Sequence, residues 1–541
     1  MTLPWKNTSR RVVIQTASVP APIGGLNARD SVAAMPVTDA LILRNWFPLP
    51  YALSMRKGWK EHTVGMAAGV TPTVAVHSPT IGADKPVVFT GGNIYAIAAP
   101  GPAPAPLVTG LTSDYWQTTM FANAGGNYLY CVNGFDSPRY YDGVAFTIPA
   151  ITSAEPGFNA NRFIHVAIHQ HRLWFVEKDS MQAWFLQPDA LGGPAEVFPV
   201  GQLFKFGGYL MAIYTWALDS GDGMNDKLVF ISSNGEIAIY SGTDPEDATQ
   251  WKLEGVFRMG SPVGRRCGVS YGGDLLLLTG DGVVPLSSSF MSTKVNTKDN
   301  LTDKIQQTIS ALVSRYRDVT GWMMLLFQNE NQAWIVVPAS ADVAPVRNSS
   351  RIVTDEAAVQ VYSMNTITGA WAQYSNMDIR CVCLHANNPI FVTGDGRLCR
   401  AWTGYFDNVP WNGTVGERIE IEVLTAYNYF ATLGQTKRWT MCRPIFQSGT
   451  IPESAIDLEV DFAVRSALVL PPNIEPSADY LWDDPRSLWD SARWNMEAQR
   501  FRRWQSIQGM GYAAALHMLV SQNIETLWIA TDFVFEIGAT I

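Results

Sequence analysis

Apolar and polar positions alternate along most of the chain with a period of two, in runs of about four to eight residues cut by Gly, Asn, Asp and Pro, which is the strand signature. Residues 227–251, KLVFISSNGEIAIYSGTDPEDATQW, show the unit. Leu228 and Phe230 alternate with Val229 and Ile231. Asn234-Gly235 then marks a tight turn, because both central positions of such a turn need positive φ. Ile237 and Ile239 alternate with Ala238 and Tyr240, and Gly242, Asp244 and Pro245 reverse the chain again. The same reading predicts hairpins at 87–97, 127–146, 172–186, 275–286, 323–337, 361–374 and 390–402.

Three turns are close to one another in sequence: SSNGEI (232–237), TGDGVV (279–284) and TGDGRL (393–398). The turns near Gly235, Gly282 and Asn331 lie 47 and 49 residues apart, the length of one four-stranded propeller blade. The predicted fold class is therefore mainly β: a divergent, interrupted β-propeller body, with a β-sandwich array as its competitor. Two segments break the strand pattern. Residues 300–318, NLTDKIQQTISALVSRYRD, place Ile305, Ile309, Leu312, Val313 and Tyr316 on one helical face, with Asn300 or Thr302 as N-cap. Residues 338–358 form a polar excursion between two strand runs, long enough to suggest a functional loop. From these breaks the expected organisation is an extended N-terminal docking arm at 1–22, a propeller-like body at 23–414 carrying the amphipathic helix and the polar loop, and a C-terminal β domain at 415–541.

Composition narrows the function classes. Charged residues are 16% of the chain, below the roughly 25% usual for soluble domains, while 19 Trp, 19 Tyr and 24 Phe are present. That balance suits either large protein interfaces or a Trp-rich β core. With 39 basic and 48 acidic residues the net charge is −9, which argues against tight phosphate-neutralising binding of nucleic acid. Six cysteines (Cys131, Cys267, Cys381, Cys383, Cys399 and Cys442) form no CxxC pair and read as buried reduced thiols, fitting synthesis in a reducing cytoplasm. No signal peptide or membrane-spanning run is expected.

The chemical motifs are weak. Asp483, Asp484 and Asp490 sit in a tryptophan cluster that invites comparison with a glycosidase cleft, but they read as turn and cap residues. His165, His169 and His171 share a strand face at a spacing foreign to common zinc sites. Ser287–Ser289 lack a nucleophile elbow, and no phosphate loop occurs. Basic residues in RFRRW (500–504) alternate with Phe501 and Trp504 as an edge or interface strand would. No catalytic, cofactor-binding or metal residue is predicted, and no cofactor.

Several stretches resemble one family. GTDPEDATQWKLEGVFRMGSPVGRRC, YGGDLLLLTGDGVVPLS, GGLNARDSVAAMPVTDALILRNWFP, RKGW (56–59), VNGFDSPRYYDG and TDFVFEIGA are similar to segments of the tail nozzle, or tail-hub, proteins of short-tailed bacteriophages, also called packaged-DNA stabilisation proteins. The resemblance implies a propeller-like body with added β domains and a virion-tail location. It implies a homohexameric ring under the portal and its adaptor ring, touching tail fibres or spikes and an internal plug. Double-stranded DNA would pass through that ring without sequence specificity. No enzymatic role is implied, and which residues line the channel is left open. A carbohydrate-binding or glycan-cleaving propeller is the alternative.

Overall fold

The computed structural model describes residues 13–219, 224–247, 249–291, 300–338, 359–463, 468 and 499–540. Strands dominate it, and they fall into a ring of small antiparallel sheets followed by a two-sheet unit.

The ring has seven blades, whose innermost strands are Thr73–His77, Gln117–Asn123, Phe163–His169, Leu210–Asp219, Gly268–Tyr271, Met323–Phe327 and Cys381–His385. Each blade packs on the next, and the seventh packs back on the first, where the Cys381 Sγ lies 3.6 Å from the Val74 carbonyl. The fold is thus a closed β-propeller. Its closure uses distant sequence: the outer strand of the seventh blade is Trp59–Val64, from before the first blade, paired antiparallel with Leu398–Ala401. The predicted hairpins are all blade hairpins. SSNGEI, TGDGVV and TGDGRL are the connections between second and third strands in blades four, five and seven. Gly396 shows why glycine stands there: its φ is 82°, and a Cβ would sit 2.4 Å from the Met66 carbonyl oxygen. Asn331, by contrast, turns between the first and second strands of blade six, so its spacing from Gly282 is not a blade repeat.

Blade five has three strands, ending at Gly282–Pro285. The helix Gln306–Tyr316 packs against that last strand, where a fourth would lie, and buries Ile309, Leu312, Val313 and Tyr316. The cap differs from the expected one. The helix is entered through the 3-10 turn Asp303–Ile305, and neither Thr302 nor Ile305 caps it with a side chain. Instead the Thr302 hydroxyl accepts the Val283 amide (3.1 Å), and Asn300 donates to the Asp281 carbonyl (3.0 Å). Both residues tie the helix to blade five.

The second unit is built from both ends of the chain. One set of paired strands contains Asp39–Arg44, Glu417–Thr425, Ala514–Gln522 and Glu453–Val460, and it joins the outer strand of blade six at Arg44–Gln373. The other is organised on the long pair Gln435–Ser448 and Thr526–Thr540. Val13–Pro20 adds to this second sheet by pairing with 530–537, as do Trp46–Pro48 and Leu53–Met55. Trp46, Trp439, Phe446, Leu458, Leu516, Trp528 and Phe535 are buried in a core continuous with that of the propeller. Residues 13–20, expected as part of an arm, are therefore a strand of the C-terminal unit. Residues 39–55, assigned from sequence to the propeller body, lie in the sheets of the second unit. The pairing partners are several hundred positions away, where local patterning carries no signal. Residues 1–12 and 339–358 lie outside the described residues.

The motif RKGW sits at the junction of the two units. Arg56 is fully buried and forms a two-point ion pair with Asp407 (2.8 and 2.6 Å). It also donates to Asn45 Oδ1 and to the carbonyls of Lys57 and Ser375. At Gly58 a Cβ would lie 1.8 Å from the Phe406 carbonyl oxygen, so only glycine lets these backbones meet. Trp59 donates from its indole to the Asn376 carbonyl (2.9 Å).

Candidate functional site

At the centre of the propeller the blades bring together residues that sit just before, or at the start of, their innermost strands. Arg266, entering blade five, reaches across the axis. Its guanidinium donates to the Trp116 carbonyl (2.7 Å), to Thr73 Oγ1 (2.9 Å) and to Cys381 Sγ (3.1 Å), which belong to blades two, one and seven. It also lies 4.7 Å from the centre of the Tyr115 ring. Tyr214 of blade four donates its hydroxyl to the Arg265 carbonyl (2.9 Å) and accepts the Gly268 amide (3.1 Å). His165 of blade three packs edge-on against Tyr214. One side chain tethered across the axis in this way leaves no space along it for a nucleic-acid duplex.

Burial decides the protonation of these groups. It pushes the Tyr214 phenol well above its usual range, and it holds His165 down at about 3, aided by the charges of Arg265 and Arg266. Both are neutral structural groups at neutral pH.

Beside this plug opens a cavity of about 720 Å³. Its wall is formed by segments leading into innermost strands (Ser113 and Tyr115, Tyr209 and Met211, Gly264 and Arg265) and by connections between second and third strands (Phe135, Lys178 and Asp179, Ser233 and Asn234). The segment after the helix adds Arg317, Asp318 and Trp322. Arg265 lies 5.5 Å from the Tyr115 ring centre, and its Nη1 is buried with no hydrogen-bond partner among the described residues. Burial lowers the Arg265 pKa. Lys178 Nζ sits 4.0 Å from the centre of the Phe135 ring.

The residues singled out from sequence lie elsewhere or act structurally. Within Phe163–His169, His165 and His169 are buried, whereas His171 is exposed in the following turn at positive φ, 3.4 Å from Asp189. The three do not converge, and no metal-ligating cluster occurs among the described residues. Ser287 bonds to Asp274, and Ser288 Oγ to the Pro285 carbonyl, at a short helix. In RFRRW, Gln499–Arg502 is an edge strand on Ile445–Ser448, and Trp504 stacks under Arg443. Asp244 of the opening hairpin pairs with Arg172 of blade three (3.0 Å), fixing one blade to the next. Asp483, Asp484 and Asp490 fall outside the described residues. Of the cysteines, all but the half-buried Cys383 are buried, and all six are free. Burial pushes the Cys267 and Cys442 thiols up to about 12. The axial cavity escaped sequence reading because its charged residues come from separate blades and share no local motif.

No family model matches the chain, and no curated protein matches it. Solved structures that it is similar to include YCF48 bound to a D1 peptide (10% identity, TM-score 0.36, covering 68% of this chain and 99% of that one). Another is BamB from Moraxella catarrhalis (12% identity, TM-score 0.33, 72% and 97%). A third is the exo-β-1,3-galactanase from Phanerochaete chrysosporium with galactose (10% identity, TM-score 0.25, 78% and 95%).

Proposed function

We propose that this chain is a structural subunit of the tail nozzle of a short-tailed phage. In this reading several copies, six by the resemblance, form a ring beneath the portal and adaptor that extends the DNA channel, helps retain the genome and conducts it at ejection. The observation that carries the reading is architectural. A closed propeller is locked, through the buried Arg56–Asp407 pair within and near RKGW, to a second β unit that gathers both ends of the chain. A body of this kind is what the family resemblance implies, and RKGW, one of the stretches that carry the resemblance, helps to build the junction. Because Arg266 bridges the propeller axis, the conduit in this reading runs between subunits, along surfaces of a chain with net negative charge. Large apolar side chains exposed on both units, among them Ile81, Val144, Leu433 and Met510, are available for lateral contacts.

Antibody labelling of intact virions by electron microscopy tests the reading. Label on the axial stump below the collar is the expected result. Absence of the chain from particles, or label confined to peripheral appendages, overturns it. The glycan-directed reading draws support from one feature, the axial cavity with Asp179 and Asp318 in its wall. Release of reducing sugar by the purified chain, abolished in Asp179→Asn or Asp318→Asn, would favour that reading over a purely structural one.

A further inference from the structure

Five charged side chains line the axial cavity: Lys178, Asp179, Arg265, Arg317 and Asp318. None of them forms an ion pair among the described residues, whereas Arg172, Arg397 and Arg443 elsewhere on the molecule are paired. Three cations against two carboxylates leave the wall with a net charge of +1. Charges on a convex surface are solvated at no cost. Asp179, Arg317 and Asp318 are exposed in the same way, whereas Lys178 and Arg265 are half-buried, and Arg265 Nη1 is shielded from solvent without a hydrogen-bond partner among the described residues. Its guanidinium lies 5.5 Å from the Tyr115 ring centre and feels the Asp179 carboxylate only at a distance beyond an ion pair.

The rest of the lining narrows the ligand. Tyr209 offers exposed aromatic surface, Tyr115 and Trp322 back the wall from buried positions, and Ser113, Ser233 and Asn234 offer small polar groups. A volume of about 720 Å³ is far larger than a phosphate or sulfate ion and of the size that drug-sized ligands occupy. A pyranose matches this mixture, since its CH face packs on an aromatic ring while its hydroxyls meet hydroxyl, amide and carboxylate groups. The surplus positive charge, and the planar fork of Arg265, select a sugar that carries a carboxylate.

We infer that the axial cavity is a binding site for an acidic saccharide, with Arg265 receiving its carboxylate and Arg317 and Lys178 completing the positive wall. The inference rests on the glycan-directed reading in its binding half alone, and needs neither a ring nor catalysis.

The test is calorimetric titration of the full-length chain with glucuronic acid and with N-acetylneuraminic acid, alongside glucuronic acid methyl ester, glucose, glutamate and inorganic phosphate. The acidic sugars are expected to bind, with the ester and glucose weaker by about tenfold or more, the weight of a charge-assisted hydrogen bond. Arg265→Gln is expected to reduce binding of the acids by about the same factor while leaving the response to glucose unchanged. Should Arg265→Gln melt early, Arg317→Ala at an exposed position gives the same comparison on a folded chain. Equal affinity for acid and ester overturns the proposal. So does binding of glutamate or phosphate as tight as that of the sugars, which would make this a general anion site, and so does the absence of any heat with either acid. Failure of virion labelling leaves the titration untouched, and a silent titration leaves the nozzle reading untouched.

Discussion

Among the described residues Arg56 and Asp407 form the most deeply buried ion pair, and Arg56 also donates to Asn45 and to the Ser375 carbonyl. Arg56→Met strands the Asp407 carboxylate, which among the described residues keeps only Asn376 as a side-chain donor (3.1 Å). The expected loss is about 3–5 kcal/mol in denaturant unfolding, and the double variant Arg56→Met with Asp407→Leu should recover much of it. A double variant as unstable as the single one would show that the pair's hydrogen bonds, not its charge balance, matter. His165 gives the pH prediction. Its folded pKa lies near 3 against 6.5 unfolded, so the unfolded chain binds the extra proton. Stability from this residue is therefore full above about pH 6.5 and is lost as pH falls towards 3. The unfolding midpoint should drop across that window, and His165→Gln should drop less steeply; equal slopes would refute the assignment. The pairing of Arg56 was not legible in sequence. Arg56 belonged to a recognised tetrapeptide, but its partner lies 351 positions away. His165 reads from its spacing as a structural or interface residue rather than a metal ligand, and the structure buries it edge-on against Tyr214.

At the scale of elements, legibility followed locality. Hairpins were readable because each carries its own turn chemistry, as Gly235 at φ 82° does, and the helix because its apolar face repeats within eleven residues. That helix stands where blade five lacks a strand, so its buried face should matter as a blade strand's would. Leu312→Ala is expected to cost about 2–5 kcal/mol, and a loss below one kilocalorie would mean that the helix is an accessory. Non-local strands were unreadable for the complementary reason. Val13–Pro20 has an ordinary alternating pattern that does not say which strand it joins, and its partner is the far end of the chain. Removing residues 1–20 would uncover the edge of Thr526–Thr540 along eight paired positions. Unsheathed edges of that length template association, so the truncated chain is expected to keep its far-ultraviolet spectrum but to aggregate in light scattering. A monodisperse truncated protein would contradict this.

For the whole molecule, the same non-local pairings decide whether two units are two domains. The outer strand of blade six runs into a sheet of the second unit at Arg44–Gln373, the strand that closes blade seven follows directly on strands of the second unit, and one apolar core passes through both. Sequence character shifts near residue 415, as expected of a separate C-terminal β domain, and in the structure that shift coincides with new sheets that share a core with the propeller. Separate domains melt separately, whereas units sharing a sheet and a core lose their stabilising contacts together. Calorimetric unfolding should therefore show one transition at neutral pH. Arg56→Met, which weakens the junction without touching the interior of either unit, should split it or broaden it. Two resolved transitions in the unaltered protein would make the junction a hinge, and a nozzle subunit would then be able to open by turning its second unit against the propeller. A single transition instead means that the two units move as one body, so that on the proposed nozzle reading any opening would take place at contacts between copies.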